Sequence, residues 1–541
     1  FVFMETSTLA FINQYDVRPN RLFYEYLIYP KEVFTTLIKG DPIGLLILLV
    51  EAICLPILFR KVLKKYYSDF FNTGWLTRAL AFIVLVPFTI LAARGTLSPR
   101  PFNISSVSFS TTRLANELAL NSTYSMLYSL YREKKEKDPT KFYGKVDINT
   151  ALDLVRARIA PFNKTFDNKN LPLERLEEPI TPVKKPYNVV IFMQESLGAE
   201  YVGHLGGLPL TPHLDAISKE GLTFTNMFST GTRTVRGLEA IVASFLPTPG
   251  PSVVKLEKAK TDFFTIAKAL KQKGYTTEFI YGGDSNFDEM KSFLIGNGVD
   301  HFYDQPTFKN PSFTTEWGVS DEDLVYKANE VFKSHGDKNF FALLLSTSSH
   351  HPWEYPDGRI TPYEQPKNTF NNAVKYADFA IGELFRLAKK EEYYKNTIFV
   401  VIADHSTRVF GDEFVPVRKF HIPAVIVGPN VPKMVYEKPA SQVDIAPTVL
   451  ALSGMEVTQS GLGRNVLRLP ESDPGRAVMQ YYNNFAYLLG NDVIILKPNE
   501  EPSYFTLKDF NLINTKAKFS FLEEARANAI LPWYLYDHKK Y

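Results

Sequence analysis

The sequence has almost no cysteine: Cys54 is the only one among 541 residues. A disulfide within the chain is therefore impossible, and a metal site built from a cysteine cluster is excluded. The sequence also has no large excess of charge of one sign. It contains 61 Lys and Arg and 58 Asp and Glu, which gives a formal net charge of +3. There is thus no global basic field of the kind that attracts nucleic acid, and we expect no nucleic-acid partner. The length exceeds one ordinary domain and allows a large core.

Two long apolar runs lie near the start of the chain, at 42–59 and 76–93, and basic residues follow the first of them at 60–65. A bilayer-spanning helix needs about 20 apolar residues, so the runs predict two transmembrane helices rather than a buried helical hairpin. The basic connector belongs in the cytoplasm, which places everything after Thr96 outside it. Glu51 within the first run is expected to face another helix or a polar partner. The sequence begins without methionine, so we expect earlier sequence, with further spans, ahead of it.

Short apolar runs alternate with helical patterns after residue 187, which predicts an α/β fold with a mostly parallel sheet sandwiched by helices. The predicted strands are 188–193, 222–228, 276–281, 340–345, 397–402 and 422–427. The predicted helices include 262–271, 369–390 and an amphipathic one at 519–529. We divide the chain into a membrane part at 1–96, an extracytoplasmic helical linker at 97–186, a catalytic domain at 187–455 and a small C-terminal subdomain at 456–541.

Polar residues follow several of these strands, at the edge where ligands bind in open parallel sheets. The candidates are Glu195 after the first strand, Asp284 after the 276–281 strand, His350 after the 340–345 strand, Asp404 and His405 after the 397–402 strand, and His421 before the last strand. Each has a plain structural alternative, such as a helix cap, a turn hydrogen bond or an ordinary loop histidine. Their joint occurrence at strand ends favours a functional site.

Thr234 lies where a strand pattern gives way to a helix pattern, between Arg233 and Arg236. A helix N-terminus favours anions, so this hydroxyl suits a nucleophile that attacks phosphorus, with the arginines as phosphate contacts. It equally suits an N-cap. If the sheet is as predicted, Glu195, Thr234, Asp404 and His405 converge as oxygen and nitrogen ligands for one divalent metal, Mn²⁺, Zn²⁺ or Mg²⁺. His350 and His421 then suit hydrogen bonds to phosphate or protonation of a leaving alkoxide.

Taken together, the stretches 188–196, 211–215, 403–405 and 443–448 and the Thr234 loop resemble the sulfatase-like branch of the alkaline phosphatase superfamily. The likeness is to membrane-anchored phosphoglycerol transferases, the group that contains lipoteichoic acid synthase, and it extends to residues 15–20 and both apolar runs. The resemblance implies that Glu195, Thr234, Asp404 and His405 bind one metal, usually Mn²⁺, that Thr234 is the nucleophile and that His350 contacts substrate. It also implies a phosphatidylglycerol donor, a glycan or glycolipid acceptor, and a multi-pass protein of the bacterial inner membrane with a periplasmic catalytic domain.

The sequence departs from that family in three places. A sulfatase carries a Cys or Ser that becomes formylglycine, whereas Thr234 stands here, so sulfate ester hydrolysis is not expected. The lipoteichoic enzymes have a histidine followed by Phe-Trp-Asn-Arg, whereas the stretch 281–290 begins with Tyr281 and lacks the Trp and Arg. The residues around Thr234 also differ, and Arg236 is a candidate for the lost phosphate contact.

Three alternatives remain open at this stage. Phosphoethanolamine transfer uses the same fold, but those enzymes usually carry extracytoplasmic cysteine pairs. A phosphodiesterase would use water as its acceptor. A scaffold of the membrane that has lost catalysis is a different class, and the complete Glu195, Thr234, Asp404 and His405 set disfavours it.

Overall fold

A computed structural model describes most of the chain, and the chain forms two compact units, Phe1–Lys135 and Glu136–Tyr541. The described residues are 2–15, 18–19, 23, 38, 42–71, 73–97, 102–110, 113–133, 137–162, 165–407, 409 and 413–541. Asp16, Val17 and Asn20, which belong to the N-terminal part of the resemblance, lie outside them.

The first unit is helical in its described part. Its α-helices are α1 (Val2–Tyr15), α2 (Pro42–Phe71), α3 (Trp75–Arg94), α4 (Arg113–Leu118) and α5 (Ser122–Glu133). Among the described residues, two stretches are long and apolar enough to cross a membrane, Pro42–Lys65 and Trp75–Ala92, and neither is buried within the unit. They coincide with the two predicted spans. Glu51 accepts a hydrogen bond of 2.9 Å from the Thr6 hydroxyl of α1, so this acid does face another helix.

The second unit contains the predicted α/β fold. Its α-helices are α6 (Thr140–Tyr143), α7 (Ile148–Ile159), α8 (Pro212–Ile217), α9 (Thr234–Ala243), α10 (Ile266–Lys271), α11 (Met290–Gly296), α12 (Asp321–Ser334), α13 (Phe370–Ala388), α14 (Ile445–Leu452) and α15 (Leu522–Asp537). Its strands are β1 (Arg175–Glu177), β2 (Asn188–Gln194), β3 (Leu222–Phe228), β4 (Thr276–Tyr281), β5 (His301–Tyr303), β6 (Thr314–Thr315), β7 (Gly318–Val319), β8 (Phe340–Leu345), β9 (Thr397–Ala403), β10 (His421–Val427), β11 (Met434–Tyr436), β12 (Ala440–Ser441), β13 (Val457–Gln459), β14 (Arg476–Tyr481), β15 (Asn484–Leu489), β16 (Asp492–Leu496), β17 (Ser503–Lys508) and β18 (Asn511–Asn514).

Within the described residues, nine strands form the central sheet in the order β11-β3-β10-β9-β2-β8-β4-β5, with β12 also paired to β3. Strands β9, β2, β8, β4 and β5 are parallel to one another. Every residue of β2, β8, β9 and β10 is buried, as expected for strands covered on both faces. The prediction of a mostly parallel sheet is confirmed, although β10 runs antiparallel to both β9 and β3.

Some helices begin at other residues than predicted, because a capping side chain sets the first residue of the helix. Helix α10 begins at Ile266 rather than at residue 262, because the Thr265 hydroxyl caps it by accepting from the Lys268 N–H. Helix α13 begins after Thr369, which caps it in the same way. Helix α15 starts and ends later than predicted, and its second half is kept helical by packing, since Ile530, Leu531 and Leu535 are buried there.

The C-terminal strands β14 to β18 form a five-stranded antiparallel sheet in sequence order. It shares the main hydrophobic core with the central sheet, through residues such as Tyr487 and Ile494. A buried charge network also joins the two sheets. Asp444, just before α14, accepts from Arg464 and from Arg476 of β14, each at 3.3 Å, and all three side chains are inaccessible to solvent. Arg476 also donates to Asn528 of α15.

Candidate metal and phosphotransfer site

Three of the predicted metal ligands come together at the carboxyl edge of the central sheet. Glu195 directly follows β2, while Asp404 and His405 directly follow its parallel neighbour β9. One ligand atom from each residue lies within 4.8 Å of the others, and all three residues are buried. Parallel strands bring their carboxyl ends to the same edge, so this convergence follows directly from the sheet order.

Asp404 is oriented by the backbone around it. Its Oδ1 accepts from the N–H groups of Ser196 at 2.7 Å and His405 at 2.6 Å. Ser196 has a positive φ of 56°, a conformation that costs free energy in a non-glycine residue and is frequent at functional sites. Among the described residues, Asp404 Oδ2 is buried and has no hydrogen-bond partner. A buried carboxylate oxygen left open in this way fits a metal ligand.

His405 presents its other ring nitrogen to the same point. Its Nδ1–H donates to the Ser406 carbonyl oxygen at 2.5 Å, which leaves the Nε2 lone pair directed at the cluster. Nε2 lies 3.3 Å from Asp404 Oδ2 and 3.6 Å from Glu195 Oε1. Two carboxylates and one imidazole are suitable ligands for Mn²⁺, Zn²⁺ or Mg²⁺.

The electrostatics of the cluster fit a divalent cation. Burial, together with the charge of Glu195, raises the pKa of the Asp404 carboxyl well above its ordinary value. The pKa of Glu195 lies below its ordinary value. Burial by itself would raise it, but the charges of His350 and His405 outweigh that effect. Burial lowers the pKa of His405 and so favours the neutral ring that ligates metals. Two buried carboxylates this close cannot both ionise without a compensating positive charge, which a divalent ion would supply.

Thr234 joins the cluster through its side chain. Its hydroxyl donates to Glu195 Oε2 at 3.1 Å. Thr234 is the first residue of α9, and the N-cap is Arg233, whose side chain makes no capping bond. The alternative role of Thr234 as the N-cap therefore does not apply, and its oxygen points to the cluster instead.

A glycine lets α9 approach so closely. A Cβ built at Gly237 would lie 2.5 Å from the Asp404 carbonyl oxygen and 2.8 Å from its Cα. Any side chain at this position would push the first turn of α9 away from the end of β9. Gly237 therefore fixes the distance between the Thr234 loop and the cluster of Glu195, Asp404 and His405.

His350 lies on the other side of Glu195. Its Nε2 is 3.6 Å from Glu195 Oε1, and its ring stacks on Trp317 with centroids 3.8 Å apart and planes 13° apart. The structure thus brings Glu195, Thr234, His350, Asp404 and His405 together.

Arg236 makes its polar contacts elsewhere. Its guanidinium donates to Glu239 Oε1 at 2.6 Å, to the Thr248 carbonyl at 2.8 Å and to the Gly250 carbonyl. Glu239 is itself buried and accepts from Val253. These contacts tie α9 to the segment that follows it. They also occupy the guanidinium of Arg236, which the sequence predicted to contact the phosphate.

The remaining candidates also lie outside the ligand cluster. His421 donates from Nε2 to the Thr225 carbonyl at 2.7 Å and stacks on Phe510, and burial lowers its pKa to about 4. Asp284 accepts from the Asn286 N–H in the turn after β4. Arg233 is exposed, its guanidinium makes no polar contact within the described part of the chain, and its charge is one of those that lower the pKa of His405.

Sequence reasoning missed the residue that joins the two halves of the site, Gln442. Its Nε2 donates to the carbonyls of Ala403 and Asp404, both at 2.7 Å, and its Oε1 accepts from the Thr230 N–H at 3.0 Å. It therefore ties the loop that carries Thr234 to the loop that carries Asp404 and His405. The only signal in the sequence was its place beside the 443–448 stretch. Ser346, whose hydroxyl accepts from the Glu195 N–H at 2.8 Å, was also missed.

We expect Gln442→Leu to lower the free energy of unfolding by about 3 kcal/mol, because three buried backbone groups would lose their partner. The measurement is denaturant unfolding, followed by tryptophan fluorescence. Gln272→Leu is the control, because Gln272 is exposed at the end of α10 and should change stability little. Equal stability of Gln442→Leu and the unmodified protein would contradict this role for Gln442.

Comparison with protein families places this fold in a known class. Residues 187–455 match the sulfatase family model. Phosphoglycerol transferase I of Xanthomonas campestris is 26% identical over 308 residues, which cover 53% of this chain and 44% of that protein. Phosphoglycerol transferase I of Citrobacter koseri is 28% identical over 249 residues, covering 42% of this chain and 32% of that protein. The chain thus spans less than half the length of these curated relatives.

Solved structures agree with this assignment. A protein in the alkaline phosphatase superfamily from Vibrio parahaemolyticus is 44% identical, with a TM-score of 0.72 over 74% of this chain and 99% of that one. The lipoteichoic acid synthase LtaP from Listeria monocytogenes shares the fold, with 18% identity and a TM-score of 0.59 over 73% of this chain and 98% of that one. This chain belongs to the alkaline phosphatase superfamily. The resemblance to sulfatase-like phosphoglycerol transferases, predicted from the sequence, is confirmed by these relatives.

Proposed function

We propose that this protein transfers the phosphoglycerol headgroup of phosphatidylglycerol to a hydroxyl of a glycan or glycolipid, through a covalent intermediate on Thr234. The observation that carries the proposal is the Thr234 hydroxyl, which lies at the start of α9 and donates to Glu195 of the ligand cluster at 3.1 Å. The names of the curated relatives support phosphoglycerol as the transferred group. The two helices suited to a membrane support a lipid donor.

Glu195, Asp404 and His405 would hold one divalent metal with Thr234, and we propose Mn²⁺. When bound, the metal would lower the pKa of the Thr234 hydroxyl and neutralise charge on the phosphoryl oxygens. The protein's own residues orient this set. Ser346 fixes the backbone of Glu195, Ser196 fixes Asp404, and the Ser406 carbonyl fixes the tautomer of His405.

In the first step, Thr234 Oγ1 forms a bond to phosphorus, and the bond between phosphorus and the diacylglycerol oxygen breaks. The hydroxyl proton leaves along the hydrogen bond to Glu195 Oε2. His350, whose Nε2 is 3.6 Å from Glu195 Oε1, gives a proton to the departing alkoxide. Diacylglycerol leaves, and glycerol phosphate remains esterified to Thr234.

In the second step, the acceptor hydroxyl attacks the same phosphorus and gives its proton to His350. The bond between phosphorus and Thr234 Oγ1 breaks, and Glu195 returns its proton to that oxygen, which regenerates the free hydroxyl. Arg233 is suited to hold the phosphoryl oxygens in both steps. It is exposed beside the first turn of α9, and the described part of the protein offers its guanidinium no polar partner. We assign the phosphate contact to Arg233 rather than to Arg236, which Glu239 and two carbonyls engage.

The proposed location follows from the first unit. The basic residues at 60–65 lie between the two candidate spans and favour a cytoplasmic connector. The catalytic unit would then face the periplasm of a bacterial inner membrane, where phospholipid headgroups and extracytoplasmic glycans are both accessible.

The test is intact-protein mass spectrometry after incubation with mixed bacterial phospholipids and Mn²⁺, followed by peptide mapping. We expect an adduct with the mass of a glycerol phosphate ester, located on Thr234. A control incubation contains EDTA in place of Mn²⁺ and should give no adduct.

Each other outcome would contradict a stated part of the proposal. A phosphoethanolamine adduct on Thr234 would refute phosphatidylglycerol as the donor but agree with Thr234 as the nucleophile. Lipid turnover with the adduct on another residue would refute Thr234 as the nucleophile. No adduct and no turnover with any of these phospholipids would overturn the proposed activity.

A further inference from the structure

His350 has an aromatic partner that comes from a distant part of the chain. Trp317 lies in the turn of the β6–β7 hairpin, and its ring stacks on the His350 ring with a centroid distance of 3.8 Å and an angle of 13°. The Trp317 Nε1–H also donates to the His351 carbonyl at 2.8 Å. One side chain therefore contacts both the ring of His350 and the backbone next to it.

The hairpin is itself held against the sheet edge. The Val319 N–H donates to the Gly282 carbonyl at 2.9 Å, and the Thr347 hydroxyl donates to the Val319 carbonyl at 2.9 Å. Asp321, just after the hairpin, accepts from the Thr347 N–H at 2.7 Å. The hairpin and the loop that carries His350 therefore form one hydrogen-bonded body.

Two glycines after β4 make this approach possible. A Cβ at Gly283 would lie 2.7 Å from the Trp317 carbonyl oxygen, and one at Gly282 would lie 3.0 Å from the Val319 carbonyl oxygen. Larger residues at either position would displace the hairpin. The stretch 281–290 contains no tryptophan, but its glycines admit Trp317 to the site.

We propose that Trp317 is a positioning residue that fixes the ring of His350 for proton transfer, an inference that rests on the proposed function. Rotation about the bond that joins a histidine ring to its Cβ has broad minima, so the 3.6 Å contact of His350 Nε2 with Glu195 Oε1 fixes the ring only loosely. A flat face packed at van der Waals distance removes that freedom. The ring edge with Nε2 is thereby kept toward Glu195 and the phosphate position.

The activity test compares Trp317→Leu, which keeps bulk but removes the flat face, with Trp317→Phe, which keeps a flat face. With Mn²⁺ and phosphatidylglycerol vesicles, we expect Trp317→Leu to lower kcat about 100-fold with little change in KM, because displacing a catalytic group by about 1 Å has an effect of that size. Trp317→Phe should restore most of kcat. Glu316→Ala, an exposed neighbour in the same turn, is the control and should behave like the unmodified protein.

A double substitution shows whether Trp317 acts through His350. If it does, Trp317→Leu should have no further effect in a protein that already carries His350→Ala. Multiplicative losses in the double variant would overturn the proposal, as would unchanged kcat in Trp317→Leu.

A readout without catalysis separates this inference from the proposed function. Carbethoxylation of histidines by diethyl pyrocarbonate is followed by peptide mapping, with exposed His213 as the internal reference. We expect His350 to react several-fold faster in Trp317→Leu and at nearly the original rate in Trp317→Phe. If phosphatidylglycerol is not turned over but His350 responds in this way, the proposed function fails and the positioning contact stands. Equal His350 reactivity in all variants would refute the contact.

Discussion

Thr234→Ala should abolish headgroup transfer, with kcat reduced at least about 10³-fold, because removal of a nucleophile also removes the group around which the other residues act. Diacylglycerol release from phosphatidylglycerol vesicles in Mn²⁺ is the measurement. The substitution should leave the fold intact, since within the described residues the Thr234 hydroxyl makes one hydrogen bond, to Glu195, and does not cap α9.

Thr232→Ala is the matched control, because Thr232 is a partly exposed hydroxyl residue in the same loop. It should retain activity within a few-fold of the unmodified protein. Thr234→Ser should keep measurable transfer, since it keeps the attacking oxygen. Full activity in Thr234→Ala would mean that the intermediate forms on another residue or does not form.

Asp404→Asn should abolish stabilisation by metal while leaving the metal-free protein as stable as before or more stable. The amide oxygen can still accept from the Ser196 and His405 N–H groups, and the substitution removes a buried carboxyl next to Glu195. In the unmodified protein, Mn²⁺ at about 1,000 times its Kd should add about 4 kcal/mol to the free energy of unfolding. Thermal unfolding with and without Mn²⁺ measures both effects.

Asp321→Asn is the control for that experiment. Asp321 is also buried, accepts backbone hydrogen bonds through Oδ1 and, within the described residues, has an Oδ2 without a partner. It belongs to no ligand cluster found among those residues, so its variant should keep the full response to Mn²⁺. A normal response in Asp404→Asn would show that the metal binds elsewhere.

The same carboxyl predicts how metal affinity changes with pH. The raised pKa of Asp404 means that the metal-free site holds a proton in a range where an ordinary aspartate is ionised. Metal binding must release that proton, so the affinity for Mn²⁺ should increase as pH rises and decrease as pH falls. Calorimetric titration in buffers of different ionisation enthalpy would detect the released proton.

Most of the central sheet was predictable from sequence because buried strands are continuous apolar runs. The predicted bounds of β3, β4 and β8 coincide with the observed ones, and β2 and β9 differ by one residue at the carboxyl end. The direction of β10 was not predictable, because a run covered on both faces reads the same in either orientation. A parallel β10 would put His421, its first residue, at the opposite edge of the sheet. The antiparallel β10 brings His421 to the carboxyl edge of β9, where it packs against Phe510.

The sequence predicted best those candidate site residues that directly follow strands. Glu195, Asp404 and His405 follow from the rule that ligands bind beyond the carboxyl ends of parallel strands. Gln442 and Trp317 could not be found in this way, because each acts across a contact between segments that are far apart in sequence. Arg236 was predicted to contact phosphate because it lies beside Thr234 in the sequence. Its actual partners, Glu239 and two carbonyls, cannot be recognised from the sequence.

The buried Asp444 network has a consequence for how this protein can vary. Asp444 contacts Arg464 and Arg476 of the C-terminal region, and Gln442, two residues earlier, ties the Thr234 loop to the Asp404 loop. A chain cut before β14 would remove Arg476, one of the two buried arginines that Asp444 contacts, next to the Gln442 that joins the two loops of the site. The C-terminal sheet, although the candidate site residues lie outside it, is for this reason part of the support of the site and not an exchangeable module.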